Sequence, residues 1–449
     1  MIPAIEQLTE LADDPNRFDH SAAELYDVQI AALNERFQAR RERIGLLKRR
    51  ADEAGITAVG RFEDAVALLF PHSVYKSYPE RFLTEHRWDR LGTWLGTLSS
   101  HPITMTEAAD IPGIDQWIER LRTAGHYVSC SSGTTGKPAM LLASEADMAW
   151  SRRDTVNLFA WGSGVAPARD RRMMGIGLTA SVPKNIVIGK AQQAAYGDPE
   201  KEVFRLPVSP LTVEAMTGQV RLRRKITDGT ASPAELAAYE RTSAQRQAEL
   251  DRALIAGADA MIEHRTEKLY ISGMWSTLYQ VAALVRERGF GSADFHPDNC
   301  IYVGGGLKRA QLPADYRQFV YETFNIPPGR EFQNYSMQEL NSGMPKCQGG
   351  NRYHVPPWVV PFVLDDAGET LLSRGAGAVE GRAAFFDLSL DGRWGGIITG
   401  DRIVLDYRPC ACGNRGPSIA DSIVRYADMA GDDKIACAGT ADAYVRGLA

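Results

Sequence analysis

At 449 residues the chain exceeds the length over which one hydrophobic core keeps growing, so two or three subdomains are expected. Its 44% hydrophobic and 24% charged residues are ordinary for a soluble globular protein, and a formal net charge of -5 excludes general electrostatic attraction to nucleic acid or an anionic membrane. No apolar run is long enough to span a bilayer, residues 1–14 lack a signal peptide's basic start and apolar run, and six cysteines in so long a chain do not suggest a disulfide framework; a cytoplasmic protein is expected, its thiols free or on a metal.

Residues 1–124 read as a helical N-terminal region. Apolar positions between 21 and 54 (Leu25, Val28, Leu33, Phe37, Ile44, Leu47) recur at helical spacing, and Phe70-Pro71 closes the next apolar helix. The basic run Arg40-Arg41-Glu42-Arg43, with Lys48-Arg49-Arg50, reads as a solvated helix face. Residues 125–345 alternate strands and helices, the pattern of an α/β core. Ser232-Pro233-Ala234-Glu235 is a helix start in which Ser caps, Pro takes the first turn and Glu reaches back; the helix is predicted to end near Ala256. A strand at 268–272 and a helix at 277–288, stopped by Gly289, follow. Cys300-Ile-Tyr-Val303 is a buried strand running into Gly304-Gly305-Gly306, 312–324 is helical, and 331–334 is extended. Residues 346–430 change to β-hairpins, with turns at 365–368 and at Asp391-Gly392, and 431–449 form a short tail.

The sharpest motif is Ser131-Ser132-Gly133-Thr134-Thr135-Gly136-Lys137-Pro138. Its glycines let backbone approach an anion, its hydroxyls and amides can donate to phosphate oxygens, and Lys137 adds a positive charge. The Gly-to-Gly-Lys spacing is too short for a Walker loop. A flexible Ser/Gly/Thr surface loop is the plain alternative, but a hydrophobic strand (Tyr127-Val128) directly precedes this one. The octapeptide resembles the phosphate loop of the adenylate-forming superfamily: acyl-CoA synthetases, peptide-synthetase adenylation domains and luciferases.

Three further segments resemble that family's motifs, in its order. Val303-Gly304-Gly305-Gly306 is similar to the backbone stretch lying along adenine. Asn334-Tyr335-Ser336-Met337-Gln338-Glu339 is similar to Tyr-Gly-x-Thr-Glu, which implies that Tyr335 stacks on adenine and Glu339 holds Mg²⁺. Ser336 stands where the family has Gly, and Gln338 where it has Thr or Ser, so the contact to the α-phosphate comes from an amide. Thr399-Gly400-Asp401 is similar to the family's Thr-Gly-Asp, whose Asp binds the ribose hydroxyls, and Arg425 is the candidate for a later nucleotide-contacting arginine. The resemblance implies an α/β, multi-subdomain fold of the adenylate-forming N-terminal-domain type, with mixed sheets packed by helices and a β-rich closing subdomain. It also implies catalytic roles for Thr134, Lys137 and Glu339, and an ATP site that includes Ser131, Ser132, Gly133, Thr135 and Gly136.

Within the family, Gly305-Gly306-Leu307-Lys308 and Tyr353-His354-Val355-Pro356-Pro357-Trp358 resemble bacterial acyl-protein synthetases, and Pro409-Cys410-Ala411-Cys412-Gly413 resembles phenylacetate–CoA ligases. Cys347, His354 seven residues on, and the Cys410-x-Cys412 pair make a three-sulfur, one-imidazole set, the ligand chemistry of a closed structural Zn²⁺ site. Cys130, Cys300 and Cys437 border apolar segments and read as packing residues.

Family members carry a C-terminal domain with a lysine that neutralises the α-phosphate. Here a hinge-like Gly431-Asp432-Asp433-Lys434-Ile435 is followed by a tail to Ala449, so a borrowed cation is expected, Lys137 or Lys308. The expected reaction is ATP-dependent adenylation of a small carboxylic acid, aryl or heteroaryl first and fatty second. Acyl transfer to an amine, hydroxyl, or carrier- or partner-protein thiol would follow, with neither nucleic acid nor membrane as partner. Met274, Trp275, Tyr279 and residues 177–188 are candidates to line the acid pocket, or else core. An acyl-CoA ligase, a fatty acyl-protein synthetase and a degenerate nucleotide-binding regulatory subunit remain as alternatives, beside a zinc-stapled interaction module.

Overall fold

The computed structural model describes residues 2–103, 110–131, 137–178, 182–210, 212–304, 311–375 and 377–429. The chain forms two compact units, one of residues 1–133, 137–154 and 336–449, the other of 134–136 and 155–335.

The second unit is built on parallel strands in the order Phe204–Arg205, Arg172–Ile176, Leu269–Gly273, Cys300–Val303, Glu331–Tyr335. Parallel neighbours need crossovers, and helices supply them: Pro183–Tyr196, Trp275–Glu287 and Tyr316–Thr323 each link one strand to the next. Trp275–Glu287 buries Trp275, Leu278, Val281, Ala282 and Val285, one helical face, against Ile271, Ile301 and Val303. The opposite strand face carries Tyr270, Tyr302 and Phe332, which pack around Phe159 at ring-centroid distances of 4.8, 6.1 and 5.3 Å. Both sheet faces are therefore covered, which is why these strands read as nearly unbroken apolar runs. The helix Pro233–Glu263 starts on the predicted capping box, with Ser232 and Glu235 bonded reciprocally, and runs seven residues past Ala256. Trp275 is 2% exposed and edge-on to Tyr316 and Tyr321, so it is core.

The first unit is a mixed sheet of antiparallel strands in the order Arg352–His354, Ser418–Ala420, Gly396–Asp406, Ala378–Asp387, Val359–Leu364. Phe70–Pro71 joins Gly396–Asp406 in parallel, and Val424–Arg425 joins it antiparallel. Phe70-Pro71 thus corrects the expected helix end. The preceding helix stops at Val66, and Phe70, fully buried, pairs with Ile397. The predicted helical stretch from 21 to 54 is also divided. Ala22–Arg40 is capped by Ser21 and Glu24, the chain breaks at 41–44, and Gly45–Ala54 resumes. Nor is the basic run a solvated face throughout: Arg40 is 5% exposed and its guanidinium meets Asp391 at 2.5 Å.

Buried carboxylates stitch this unit across large sequence separations. Asp387 accepts hydrogen bonds from the amides of Asn341, Ser342 and Ser389 at 2.8 to 3.0 Å. Asp147, fully buried, accepts from the amides of Ser144, Asp391 and Gly392 and from the Asn341 side chain. Each bond satisfies a group whose isolated burial would cost several kcal/mol, on the order of 2–7 for a neutral amide.

Candidate active site and metal centre

The phosphate-loop octapeptide joins the strands of an antiparallel hairpin, Tyr127–Ser131 and Ala139–Ala143, with Ser131 opposite Ala139. Ser132, Gly133, Thr134, Thr135 and Gly136 lie outside the described residues, and of Ser131 only the strand backbone is described. Lys137 donates to the Tyr78 carbonyl at 2.8 Å and lies 5.4 Å from the Tyr78 ring centroid, while the Tyr78 hydroxyl donates to the Pro138 carbonyl at 2.8 Å. The exit of the loop is therefore clamped on both sides by one buried tyrosine.

Asp401 sits on the long strand Gly396–Asp406, opposite Arg425 in register, with 3.7 Å between its carboxylate and the Arg425 Nε. Buried Thr399 fixes this bend: its hydroxyl donates to the Ala383 carbonyl at 2.8 Å and accepts from the Asp401 amide at 3.1 Å. Behind it, fully buried Arg382 donates to the Thr399 and Asp366 carbonyls, and its guanidinium carbon lies 3.9 Å from the Tyr426 ring centroid. The Tyr426 hydroxyl donates to Asp366 at 2.7 Å, which fastens the segment carrying Arg425.

Glu339 follows on the same unit. Its carboxylate is half-buried and, among the described residues, makes no hydrogen bond or ion pair. Its main chain is held by Arg393, whose guanidinium donates to the carbonyls of Gln338 at 3.0 Å, Glu339 at 2.8 Å and Leu142 at 2.5 Å. Arg393, 2% exposed, also hydrogen-bonds the buried Tyr75, whose phenol burial pushes up to about 12. One arginine thus joins the phosphate-loop hairpin, the Gln338-Glu339 segment and the turn that enters the Asp401 strand. No sequence motif marked it; its only signal was its place after the Asp391-Gly392 turn. Gly392 is required there, because a Cβ would stand 2.8 Å from the Asp147 carboxylate.

On the second unit Tyr335 closes the strand Glu331–Tyr335 and Asn334 precedes it, while Ser336 falls in the first unit. Gly304 follows Cys300–Val303, and its amide donates to the Gly273 carbonyl at 3.0 Å; Gly305, Gly306 and Lys308 lie outside the described residues. The structure adds Gly177 and Gly273 to this edge. A Cβ on Gly273 would stand 2.5 Å from the Ile176 carbonyl, and one on Gly177 would be 3.3 Å from the Gly273 Cα. Arg172–Ile176 and Leu269–Gly273 are the adjacent strands from which successive connections depart to opposite sides, the switch point where open α/β sheets bind ligands beyond their carboxyl ends. That row was legible, since each of these strands runs into a glycine: Ile176-Gly177, Ser272-Gly273, Val303-Gly304.

The four predicted metal ligands converge. One ligand atom each from Cys347, His354, Cys410 and Cys412 lies within 4.8 Å of the others. The Cys347 and Cys410 sulfurs are 3.7 Å apart, and Cys412 Sγ is 3.3 Å from His354 Nε2. A tetrahedral site with Zn–S near 2.3 Å has edges of roughly 3.5–3.8 Å, so the spacing fits Zn²⁺. Tight turns bring the ligands in: the Cys347 amide donates to the Arg352 carbonyl, the Cys410 amide to that of Asn414, and Gly413 turns at φ +95. Gly350 is obligatory, because a Cβ there would lie 2.1 Å from Cys410 Sγ. Burial, then Arg352, pushes the His354 imidazole down to about 4, leaving it neutral as a ligand must be. The Asn414 side chain donates to Cys412 Sγ at 3.2 Å, a supporting bond around the ligand sphere. Cys130 and Cys300 are buried, as packing residues should be; Cys437 lies outside the described residues.

Among the described residues no helix is long and apolar enough to cross a membrane. The sequence matches no known family profile, and no curated protein sequence is similar to it. Solved structures are similar in fold. A 2-hydroxyisobutyryl-CoA ligase in the postadenylation state, in complex with R3-HIB-AMP, superposes with a TM-score of 0.56 at 15% identity, covering 94% of this chain and 72% of that one. The open conformation of that ligase with 2-HIB-AMP and CoA gives 0.55 at 14% identity, covering 94% and 79%. The chain therefore has the fold of the adenylate-forming N-terminal domain, an α/β architecture of several sheets packed by helices.

Proposed function

We propose that this protein is an ATP-dependent ligase that adenylates a carboxylic acid, releasing pyrophosphate and forming an acyl-AMP. The observation that carries the reading is the three-way bonding of Arg393, which gathers the phosphate-loop hairpin, Glu339 and the strand of Asp401 although they are far apart in sequence. A fold shared with a ligase crystallised with acyl adenylates supports the same reading.

In this mechanism the substrate carboxylate attacks the α-phosphate in line, so the O–P bond forms as the bond to pyrophosphate breaks. The acid is already ionised at neutral pH, and no general base is needed. Asp401, with Arg425 beside it, binds the ribose; Tyr335 and the Gly304 segment receive the base; Gln338 and the loop 131–137 donate to the phosphates. Glu339, whose carboxylate makes no hydrogen bond or ion pair among the described residues, suits Mg²⁺, which when bound would add positive charge at the phosphates. The Cys347, His354, Cys410 and Cys412 set would hold Zn²⁺ as a structural staple, with every position filled by protein. The substrate class we favour is an aryl or heteroaryl acid, and the acceptor an amine, hydroxyl or protein thiol. Coenzyme A is the second acceptor, favoured by the CoA bound to the similar ligase.

The test is pyrophosphate release with ATP and Mg²⁺ over a panel of aryl and fatty acids, followed by trapping with amines, thiols and coenzyme A. Acid-dependent release should fall about ten- to hundredfold in kcat/KM in Asp401→Ala, the loss expected when hydrogen bonds to a charged group are removed. ATP binding with no release for any acid would favour the regulatory subunit instead.

A further inference from the structure

We propose that Lys76 is the cation that binds the nucleotide's phosphates; this rests on the adenylation reading and names a residue for it that no motif assigns. After Phe70–Pro71 pairs with the Asp401 strand, with Pro71 opposite Ile398, the chain turns through His72–Lys76. That turn packs against both Ala139–Ala143, which follows the phosphate loop, and Gly396–Asp406. Buried Val74 and Tyr75 anchor it, and Tyr75 is hydrogen-bonded to Arg393. Lys76 ends the turn half-buried, and among the described residues its ammonium makes no hydrogen bond or ion pair.

The charged groups acting on Lys76 are Glu339 and Arg425, of opposite sign, which are the carboxylate suited to Mg²⁺ and the arginine beside the ribose carboxylate. Burial is the larger influence and holds the lysine below its ordinary pKa, so Glu339 offsets the desolvation only in part and a polyanion placed here would stabilise the ammonium further. Of the other lysines expected to supply charge, Lys137 donates to the Tyr78 carbonyl, and Lys308 lies outside the described residues. A lysine is a compact point charge on a flexible stem, able to follow a phosphoryl group as its geometry changes. The competing role is packing, in which the stem merely covers apolar surface and the ammonium faces water.

The two roles separate by ligand charge. Binding of Mg·ATP and of adenosine is measured for wild type, Lys76→Met and Lys76→Arg, with thermal unfolding as the control for folding. We expect Lys76→Met to weaken ATP roughly ten- to hundredfold, the loss of a charge-assisted contact, while adenosine binding and melting stay as in wild type and Lys76→Arg regains most of the affinity. Acid-dependent pyrophosphate release should fall in step. Unchanged ATP affinity in Lys76→Met, or equal losses for ATP and adenosine, would overturn the assignment. Wild type that binds ATP but releases no pyrophosphate with any acid would refute adenylation, and the ATP-to-adenosine ratio would still decide Lys76.

Discussion

The two compact units are stabilised by different physics. Residues 155–335 form strands and helices that follow one another along the chain, and their core is Leu, Ile, Val, Met and aromatic side chains on helical and alternating spacings. The other unit gathers segments from both ends of the chain around the strand Gly396–Asp406, and its joints are polar groups, the buried Asp147, Asp387 and Arg393, the half-buried Asp391 and the Cys/His cluster. An apolar core tolerates the loss of one contact, whereas a buried carboxylate or thiolate cluster leaves several groups unsatisfied at once. The comparison teaches where single substitutions should be severe.

The largest effect is expected at the proposed zinc site of Cys347, His354, Cys410 and Cys412. Cys410→Ser with Cys412→Ser, or strong chelation, should remove bound zinc and a binding free energy that reaches about 10 kcal/mol in small zinc domains. Metal analysis and thermal unfolding check it; protein purified without zinc yet melting like the untreated form would break the contrast. Next comes Asp387→Ala, which orphans the amides of Asn341, Ser342 and Ser389 and should cost about 3–5 kcal/mol by denaturant unfolding.

A smaller effect sharpens the contrast by pH. Burial raises the Asp391 carboxyl, but hydrogen bonds from His101, Ser144 and Arg40 outweigh it and bring the group from 3.8 down to about 2. Because the folded value is the lower one, the stabilisation is present above about pH 4 and is lost as pH falls through about 2. Replacing Asp391 by Asn should flatten that part of the acid-stability curve by up to ~2 kcal/mol. The smallest effect belongs to the other unit: Ser232→Ala removes an exposed capping box and should cost only about 1 kcal/mol in the same assay.

Much of the second unit was legible because its determinants are local. The Ser232 cap, the stop at Gly289 and the strand Cys300–Val303 need no knowledge of distant residues. The Cys347, His354, Cys410 and Cys412 set was legible by chemistry, since three thiols and an imidazole have few other reasons to recur beside hairpins. Phe70-Pro71 and Arg40 were misread because each is decided by a strand or carboxylate more than 300 residues away. Arg393 and Lys76 carry no motif at all, as a lone cation acquires a role only when folding puts carbonyls or charges around it.

By itself, then, the sequence determined the α/β class, the adenylate-forming fold, the helix caps and glycine-ended strands, and which thiols and imidazole could form a metal-ligand set. Those properties reside in spacing and side-chain chemistry, which survive in a linear chain. Only the tertiary structure decided which cations are committed to protein carbonyls and carboxylates, and which carboxylates serve the scaffold. A charge is defined by its surroundings, and here the surroundings come from segments that meet only in the folded protein.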